Sequence, residues 1–317
     1  MNILICSVGR RVKLIEYFKR ELNEINGKVV AVDCDPTAPA LYFADQFEIF
    51  PRIDQHDYVQ EIKALCKKYE ISAVLSLIDP ELSLLARYKE NFKEDGVAVI
   101  VSDEPIIEIC FDKYLTSKFL QEHGFPHIPT YTNIEEVKSA LGNGMLHFPL
   151  IIKPRNGSAS MGIQCVSTIA QLQSFYDHDV VIQPFMKGEE FGIDCYIDLI
   201  TKEATNIFMK KKIKMRAGET DKSVAVKDSR LRELMTALLE VLQPVGPIDI
   251  DCFYTEQGYV ISEINPRFGG GYLHAHEMGQ NFVKNLITNL QNIANVRDEG
   301  NYQEGKTLIK YDQYLVL

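Results

Sequence analysis

The sequence predicts an α/β N-terminal domain on a parallel sheet, followed by an α+β region of antiparallel strands. Three observations carry this reading. Strands and helices alternate over roughly the first hundred residues, which implies a parallel sheet covered on both faces. The pattern then changes to strands joined by close turns. Finally, Asp251–Gly271, DCFYTEQGYVISEINPRFGGG, reads as two acid-bearing strands around a Thr-Glu-Gln-Gly turn. At 317 residues, 46% hydrophobic and 25% charged, the chain is long enough for two or three packed units with a large core.

The elements follow in order. Asn2–Cys6 and Lys28–Asp33 are apolar strand-like runs, with a helical pattern over Arg11–Glu24 between them. Helices are predicted at Tyr58–Tyr69 and Glu81–Phe92, and strands at Ala73–Leu77 and Val97–Val101. Ligands on such sheets collect at the carboxyl ends of strands, here Ser7–Arg10, Asp33–Pro36 and Asp79–Glu81. The first turn has Gly9 but no GxGxxG, so a nucleotide-binding-like fold put to another use is favoured over an NAD site. From about Ser102 a helix at Asp112–His123 is stopped by Gly124-Phe125-Pro126. Strands at Pro149–Lys153, Ile163–Ser167 and Val180–Gln183, with a helix at Ile169–Tyr176, form a small α+β unit. The segments Glu190–Asp198, Ala204–Arg216, Ile248–Tyr254 and Tyr259–Asn265 read as an antiparallel sheet, with helices at Ser229–Leu242 and Phe282–Val296 packed on it. From Arg297 onward the pattern does not assign a place.

Bulk properties narrow the function. A formal net charge of −10 argues against a general nucleic-acid binder but not against a nucleotide enzyme, where a few cations in a cleft suffice. Seven scattered cysteines without a CxxC make a disulfide framework or a structural zinc unexpected. The first residues enter a strand directly and no apolar run is long enough to span a bilayer, so a cytoplasmic location away from membranes is expected.

Four stretches carry chemistry. In the hairpin, Glu263 and Asn265 share a strand face, and if Tyr254 pairs with Tyr259, Asp251 falls within one residue of Glu263. Two carboxylates and an amide oxygen suit Mg²⁺ completed by substrate phosphates, with Arg267 facing a phosphoryl group; solvated acids on an ordinary hairpin give the same pattern. Ile151-Ile152-Lys153-Pro154 is an apolar strand ending in a lysine, followed by the loop Gly157-Ser158-Ala159-Ser160-Met161-Gly162, whose small residues let backbone N–H groups approach phosphates. Ile163-Gln164 stand where a Walker A loop requires Lys-Ser/Thr, and a plain hairpin turn is the competing reading. Gln183-Pro184-Phe185-Met186 suits a hinge beside a purine, with Glu190 beyond it for ribose hydroxyls, against an ordinary strand and charged turn. Lys210, Lys212, Lys214 and Arg216 alternate, giving one face of that strand four cations; Arg216 is the best functional candidate, and an edge strand guarded by lysines is the alternative.

Together these residues resemble the ATP-grasp superfamily, most closely its carbamoyl-phosphate synthase large-subunit type, over nearly the whole chain. The resemblance rests on Asp112-Lys113, Ile152-Lys153-Pro154 with its glycine loop, QPFMKGEE, and Asp251 with EINPR, in the family's order and spacing. It implies a pre-ATP-grasp, Rossmann-like domain over residues 1–109, an ATP-grasp small lobe over 110–186 and a large lobe with the metal site over 187–317. It further implies ATP and Mg²⁺ (or Mn²⁺) as cofactors. Lys113 and Lys153 would bind phosphates under the loop 157–162, Gln183–Met186 would hold adenine and Glu190 the ribose. Asp251, Glu263 and Asn265 would be the metal ligands, and Arg267 would steady the transferred phosphoryl group; Arg216 stands as a second catalytic candidate on the strand pattern alone. Many relatives have glutamate where this chain has Gln183.

The implied chemistry is attack of a carboxylate on the γ-phosphate of ATP, then displacement of phosphate from the acylphosphate by an amine. With one such unit and no glutaminase motif, a stand-alone carboxylate–amine ligase, acting on small molecules and able to dimerise, is the main expectation. Phosphorylation of bicarbonate or carbamate with a partner protein, and a nucleotide-binding module without turnover, are the alternatives. Gly269–Glu277 is expected to border the acceptor pocket. His274 and His276 serve there as proton acceptor, zinc ligands or packing residues, and Arg10 or Arg11 either clamps a substrate carboxylate or pairs with surface acids.

Overall fold

A computed structural model describes residues 1–157 and 162–317. The first sheet has five parallel strands in the order β3-β2-β1-β4-β5: β1 (Asn2–Cys6), β2 (Lys28–Asp33), β3 (Gln46–Ile49), β4 (Ile71–Ser76) and β5 (Ala98–Val99). Its crossovers are α1 (Val12–Asn23), a 3-10 turn at Pro39–Phe43, α2 (Tyr58–Lys68), α3 (Asp79–Arg87) and α4 (Lys89–Glu94). The single helix expected over Glu81–Phe92 is thus two, parted at Tyr88. The apolar strands are buried on both faces, as parallel strands require.

Two helices, α5 (Glu104–Phe111) and α6 (Lys113–Glu122), lead into a three-stranded antiparallel sheet of order β7-β6-β8: β6 (Leu150–Pro154), β7 (Gln164–Val166) and β8 (Val180–Pro184). It is covered on one face by α7 (Ile134–Gly142) and α8 (Ile169–Phe175). Alternation sends Leu150, Ile152 and Ile182 into that small core, leaving Ile151, Lys153, Val181 and Gln183 on the opposite face.

The third sheet has six strands in the order β13-β12-β9-β10-β11-β14: β9 (Glu189–Ile197), β10 (Ala204–Arg216), β11 (Glu219–Val226), β12 (Gly246–Thr255), β13 (Gly258–Asn265) and β14 (Thr307–Ile309). β14 lies in the segment the sequence pattern left unassigned and pairs with β11. Helix α9 (Ser229–Leu242), capped by Asp228, packs its buried leucines with Ile193, Ile207, Ile248 and Ile264 on one face. The other face is divided. Tyr196 and Phe208 join a core made with Ile3, Ile5, Phe18, Phe268, Tyr272, Phe282 and Leu286, from the first sheet, α1, the segment after β13, α10 (Tyr272–Glu277) and α11 (Phe282–Leu290). α11 ends at Leu290, short of the expected Val296. The remaining half of that face is charged.

Candidate active site

On this charged half, alternation aligns Glu190, Gly192 and Asp194 of β9 with Asp249 and Asp251 of β12 and with Glu263 and Asn265 of β13. Asp251 stands opposite both Glu263 and Gly192, and Asp249 opposite Asn265 and Asp194. The expected pairing of Tyr254 with Tyr259 is present, but continued regularly it would set Asp251 against Ser262. A register shift between Asp251 and Cys252 inserts one residue on β13 and brings Glu263 opposite Asp251. The same bulge sends Ile261 and Ile264 into one core, which strict alternation would put on opposite faces.

Cations reach these acids from three elements. Lys212 Nζ lies 2.6 Å from Asp251 Oδ1. Lys210, fully buried, pairs with Asp194. Both lysines lie over β9 at Gly192, where a Cβ would sit 3.1 Å from Lys210 Cε and 3.3 Å from Lys212 Cε. Lys153 Nζ of β6 stands 3.5 Å, and Lys113 Nζ of α6 3.9 Å, from Glu263 Oε1. Lys113 Nζ also donates to the Gly157 carbonyl at 2.6 Å, joining α6 to the glycine loop. Asp112 fixes this arrangement: it caps α6 through the Tyr114 and Leu115 N–H groups and holds Arg155 at 2.7 Å.

Electrostatics follow from this crowding. Burial, then the charges of Asp251 and Asp194, push Asp249 up to about 7. Burial lowers Lys113 despite Glu263. Burial pulls Lys212 the same way, but Asp251 and Asp249 outweigh it and hold its pKa above the ordinary lysine value. Arg267 is buried at the end of β13, and its Nη2 donates to Asp79 Oδ2 at 2.8 Å. Asp79 overrides the effect of burial and raises the guanidinium pKa. Nε of Arg267 is buried with no hydrogen-bond partner among the described residues.

Other expected residues are placed as follows. Gln183 is buried on the Lys153 face of the small sheet and donates to Thr130 Oγ1 at 2.8 Å. Pro184 and Phe185 line a cavity of about 260 Å³ with Tyr131 and Phe148; no lysine or carboxylate of the charged face borders it. Met186 follows, half-buried, and Glu190 lies near enough to Lys212 to raise its pKa. Gly157 and Gly162 have φ of 115° and 70°, which favour glycine. Ser158, Ser160 and Met161 lie outside the described residues.

Arg216 is placed elsewhere. It pairs with Asp221 at 2.9 Å and Asp312 at 2.6 Å, and no ion pair joins it to the acidic face among the described residues. Two register shifts between Lys212 and Met215 break the alternation expected to align four cations, so only Lys210 and Lys212 reach those acids. His274 and His276 are buried packing residues: Ser223 Oγ lies 2.7 Å from His274 Nδ1, and Arg20 Nη2 lies 2.6 Å from His276 Nε2. Asp194 and Asp249 are acids that no motif marks, while Asp79 stands in the strand-end segment Asp79–Glu81, where ligands are expected to collect. Asp249 and Asp194 were visible as residues alternating with Asp251 and Glu190, whereas nothing local marks Asp79 as the partner of a residue 188 positions away.

Among the described residues no group of three or more His, Cys, Asp and Glu side chains is arranged to hold a metal. Asp251, Glu263 and Asn265 instead offer two carboxylates and an amide oxygen, a donor set that fits a hard divalent cation completed by phosphate oxygens.

Comparison with known proteins agrees with this architecture. The family model for the PylC-like N-terminal domain matches residues 3–100, and that for the ATP-grasp domain matches residues 110–271. A D-alanine–D-alanine ligase from Nitratiruptor sp. is 28% identical over 237 residues, covering 64% of this chain and 65% of that protein. A second, from Bacillus anthracis, is 26% identical over 168 residues, covering 47% of this chain. The chain thus spans between about half and two thirds of these ligases, 53% of the Bacillus protein. Among solved structures, biotin carboxylase from Campylobacter jejuni superposes with a TM-score of 0.77 at 16% identity, over 96% of this chain and 74% of that one. An L-amino acid ligase from Bacillus licheniformis gives 0.71 at 18%, over 96% and 78%. No described helix is long and apolar enough to cross a membrane. A parallel first sheet, two antiparallel sheets flanking a lysine-and-carboxylate face, and a domain model matching over half the chain lead to one assignment: this protein belongs to the ATP-grasp family.

Proposed function

We propose that this chain is an ATP-dependent, ADP-forming ligase that activates a carboxylate as an acylphosphate and passes it to an amine. The observation that carries the reading is the direct pairing of Asp251 with Glu263, beside Asn265, under the ammonium groups of Lys113 and Lys153. The three donors would hold Mg²⁺ (or Mn²⁺), which when bound with the nucleotide offsets phosphate charge. The lysines take the γ- and β-phosphate charge, and the low exposure of their side chains, 10% for Lys113 and 12% for Lys153, strengthens that interaction. Gly157 and Gly162 frame the loop over the phosphates, the segment Gln183–Met186 borders the base, and Glu190 accepts from the ribose.

Phosphoryl transfer asks a protein mainly to position reactants and neutralise charge. The substrate carboxylate attacks the γ-phosphorus, the bond to the ADP oxygen breaks, and charge grows on oxygens facing Arg267. Asp79 holds Arg267 in one orientation, so little rearrangement is needed as that charge develops. A neutral amine then attacks the acyl carbon, the bond from that carbon to the phosphate oxygen breaks, and phosphate leaves with the proton the amine gives up, with no side-chain nucleophile involved.

The test is ADP and phosphate release from ATP and Mg²⁺ with a panel of carboxylates, bicarbonate included, with and without amines. Release that requires a carboxylate–amine pair supports the ligase. Release driven by bicarbonate alone points to carbamoyl-phosphate-type chemistry, and AMP formation excludes the acylphosphate route.

A further inference from the structure

A second charged cluster adjoins the candidate site and is not used by the reaction above. The carboxylate of Glu219, the first residue of β11, is surrounded by three cations from two segments: Lys310 Nζ at 3.0 Å, Arg11 Nη2 at 3.5 Å and Arg10 Nη2 at 3.7 Å. Arg10 and Arg11 end the turn after β1, and Lys310 directly follows β14. The side chains of Arg11, Glu219 and Lys310 are each only about one fifth exposed, at 20%, 21% and 18%.

Three positive charges face one carboxylate where only Arg10 is well exposed, so like charges repel more strongly than in water, with Asp249 a second acid acting on Arg11. Burial lowers the pKa of Arg11 and of Lys310 even with Glu219 present. Hydrogen bonding is unequal as well. Lys310 donates to Glu219 and to the Gly270 carbonyl at 2.8 Å, and Arg10 donates to the Ala217 carbonyl at 3.1 Å. Arg11 makes no side-chain hydrogen bond among the described residues, although a guanidinium carries five donors. The cluster touches the segment that follows Arg267: a Cβ on Gly270 would lie 2.8 Å from Glu219 Cγ and 3.1 Å from Arg11 Nη1. The next residue, Gly271, would place a Cβ 2.6 Å from Lys210 Cε.

We propose that Arg10, Arg11 and Lys310 form a subsite for an oxyanion carried by a substrate, with Glu219 as a built-in counter-ion that the substrate displaces. The fork of Arg11 suits two oxygens of one carboxylate or phosphoryl group. This deepens the ligase reading and rests on it: one substrate carries an anionic group besides the group that reacts.

The test is calorimetric titration of the full chain with succinate and with inorganic phosphate, a non-hydrolysable ATP analogue and Mg²⁺ saturating the nucleotide site. Glu219→Gln should bind one of these anions at least tenfold more tightly than the unaltered protein. Arg11→Gln and Lys310→Gln should lose at least tenfold, and affinity for the ATP analogue should stay within twofold. The exposed Arg10 supplies a further variant, Arg10→Gln, should Arg11→Gln fail to fold. Preference for succinate assigns a carboxylate, and preference for phosphate a phosphorylated substrate. Binding of neither, or affinity indifferent to Glu219→Gln, overturns the subsite. Anion binding that follows these variants without ADP release on any substrate pair removes the ligase reading alone. ADP release with a KM unmoved by Arg11→Gln removes the subsite alone.

Discussion

At the scale of single residues, the candidate site is a set of carboxylates held by lysines. If Asp251 and Glu263 bind the cation, Asp251→Asn should lower the turnover of ADP release by about 100-fold or more, by removing charge that the transition state needs. Its fold should persist, because Asn is nearly isosteric, and circular dichroism checks this. Lys153→Met should weaken ATP by roughly ten- to a hundredfold, about 1.4–2.8 kcal/mol, in an equilibrium binding assay. The buried histidines make a prediction about pH. Burial, and the cations Lys210 and Arg20 respectively, push His274 and His276 down to about 4. Arg20 can only donate, so His276 Nε2 accepts and the folded ring is neutral. The unfolded chain, with histidines near 6.5, binds more protons between the two values, so stability falls as pH drops through that window. At pH 5 each histidine should cost on the order of 2 kcal/mol relative to pH 7. Urea midpoints at both pH values check this, and the difference should shrink in His274→Asn and His276→Asn.

At the scale of elements, glycines decide how closely charged groups approach. Gly271→Ala would drive a methyl group to 2.6 Å from Lys210 Cε and disturb the buried Lys210–Asp194 pair. A loss of about 1–3 kcal/mol is expected by chemical denaturation. The same scale separates what the sequence made legible from what it did not. The hairpin was readable because its turn and alternating acids are local, and the Tyr254–Tyr259 register followed from the turn. The bulge that aligns Asp251 with Glu263 was not, since inserting one residue is settled by which isoleucines the core accepts. Alternation along β10 gave Lys210 and Lys212 correctly and failed at Lys214 and Arg216, where two register shifts intervene. The short strand β14 has only three residues and is defined by its partner β11, so no periodicity could reveal it. The contact of Asp79 with Arg267 depends on two sheets meeting, which lies beyond any motif.

At the scale of the whole molecule, the three sheets are unequally joined. The first and the six-stranded sheet share one core, from Ile3 and Phe18 to Phe208 and Phe282, and are pinned by the Asp79–Arg267 pair. Asp79→Ala should leave that guanidinium buried without its partner and cost about 3–5 kcal/mol, measured as a lowered urea midpoint. The three-stranded sheet has a core of its own, from Val137, Leu150, Ile152 and Leu172. It faces the acids through Lys153, with Lys113 beside it, so a nucleotide bridging the two should draw them together. Small-angle scattering should show a smaller radius of gyration with an ATP analogue and Mg²⁺, and no change in Lys153→Met at the same concentration.

The shared core also sets an order of events during synthesis. Phe18 meets Phe268, and Leu14 and Ile15 lie in the same cluster as Tyr272, Phe282 and Leu286. A ribosome therefore releases the first sheet covered by α1 but with the outer apolar side of α1 open, and completes that cover only some two hundred residues later. Over that interval the nascent chain presents a sticky surface that chaperones would guard, whereas the small sheet, with its own core, can close as soon as Ile182 emerges.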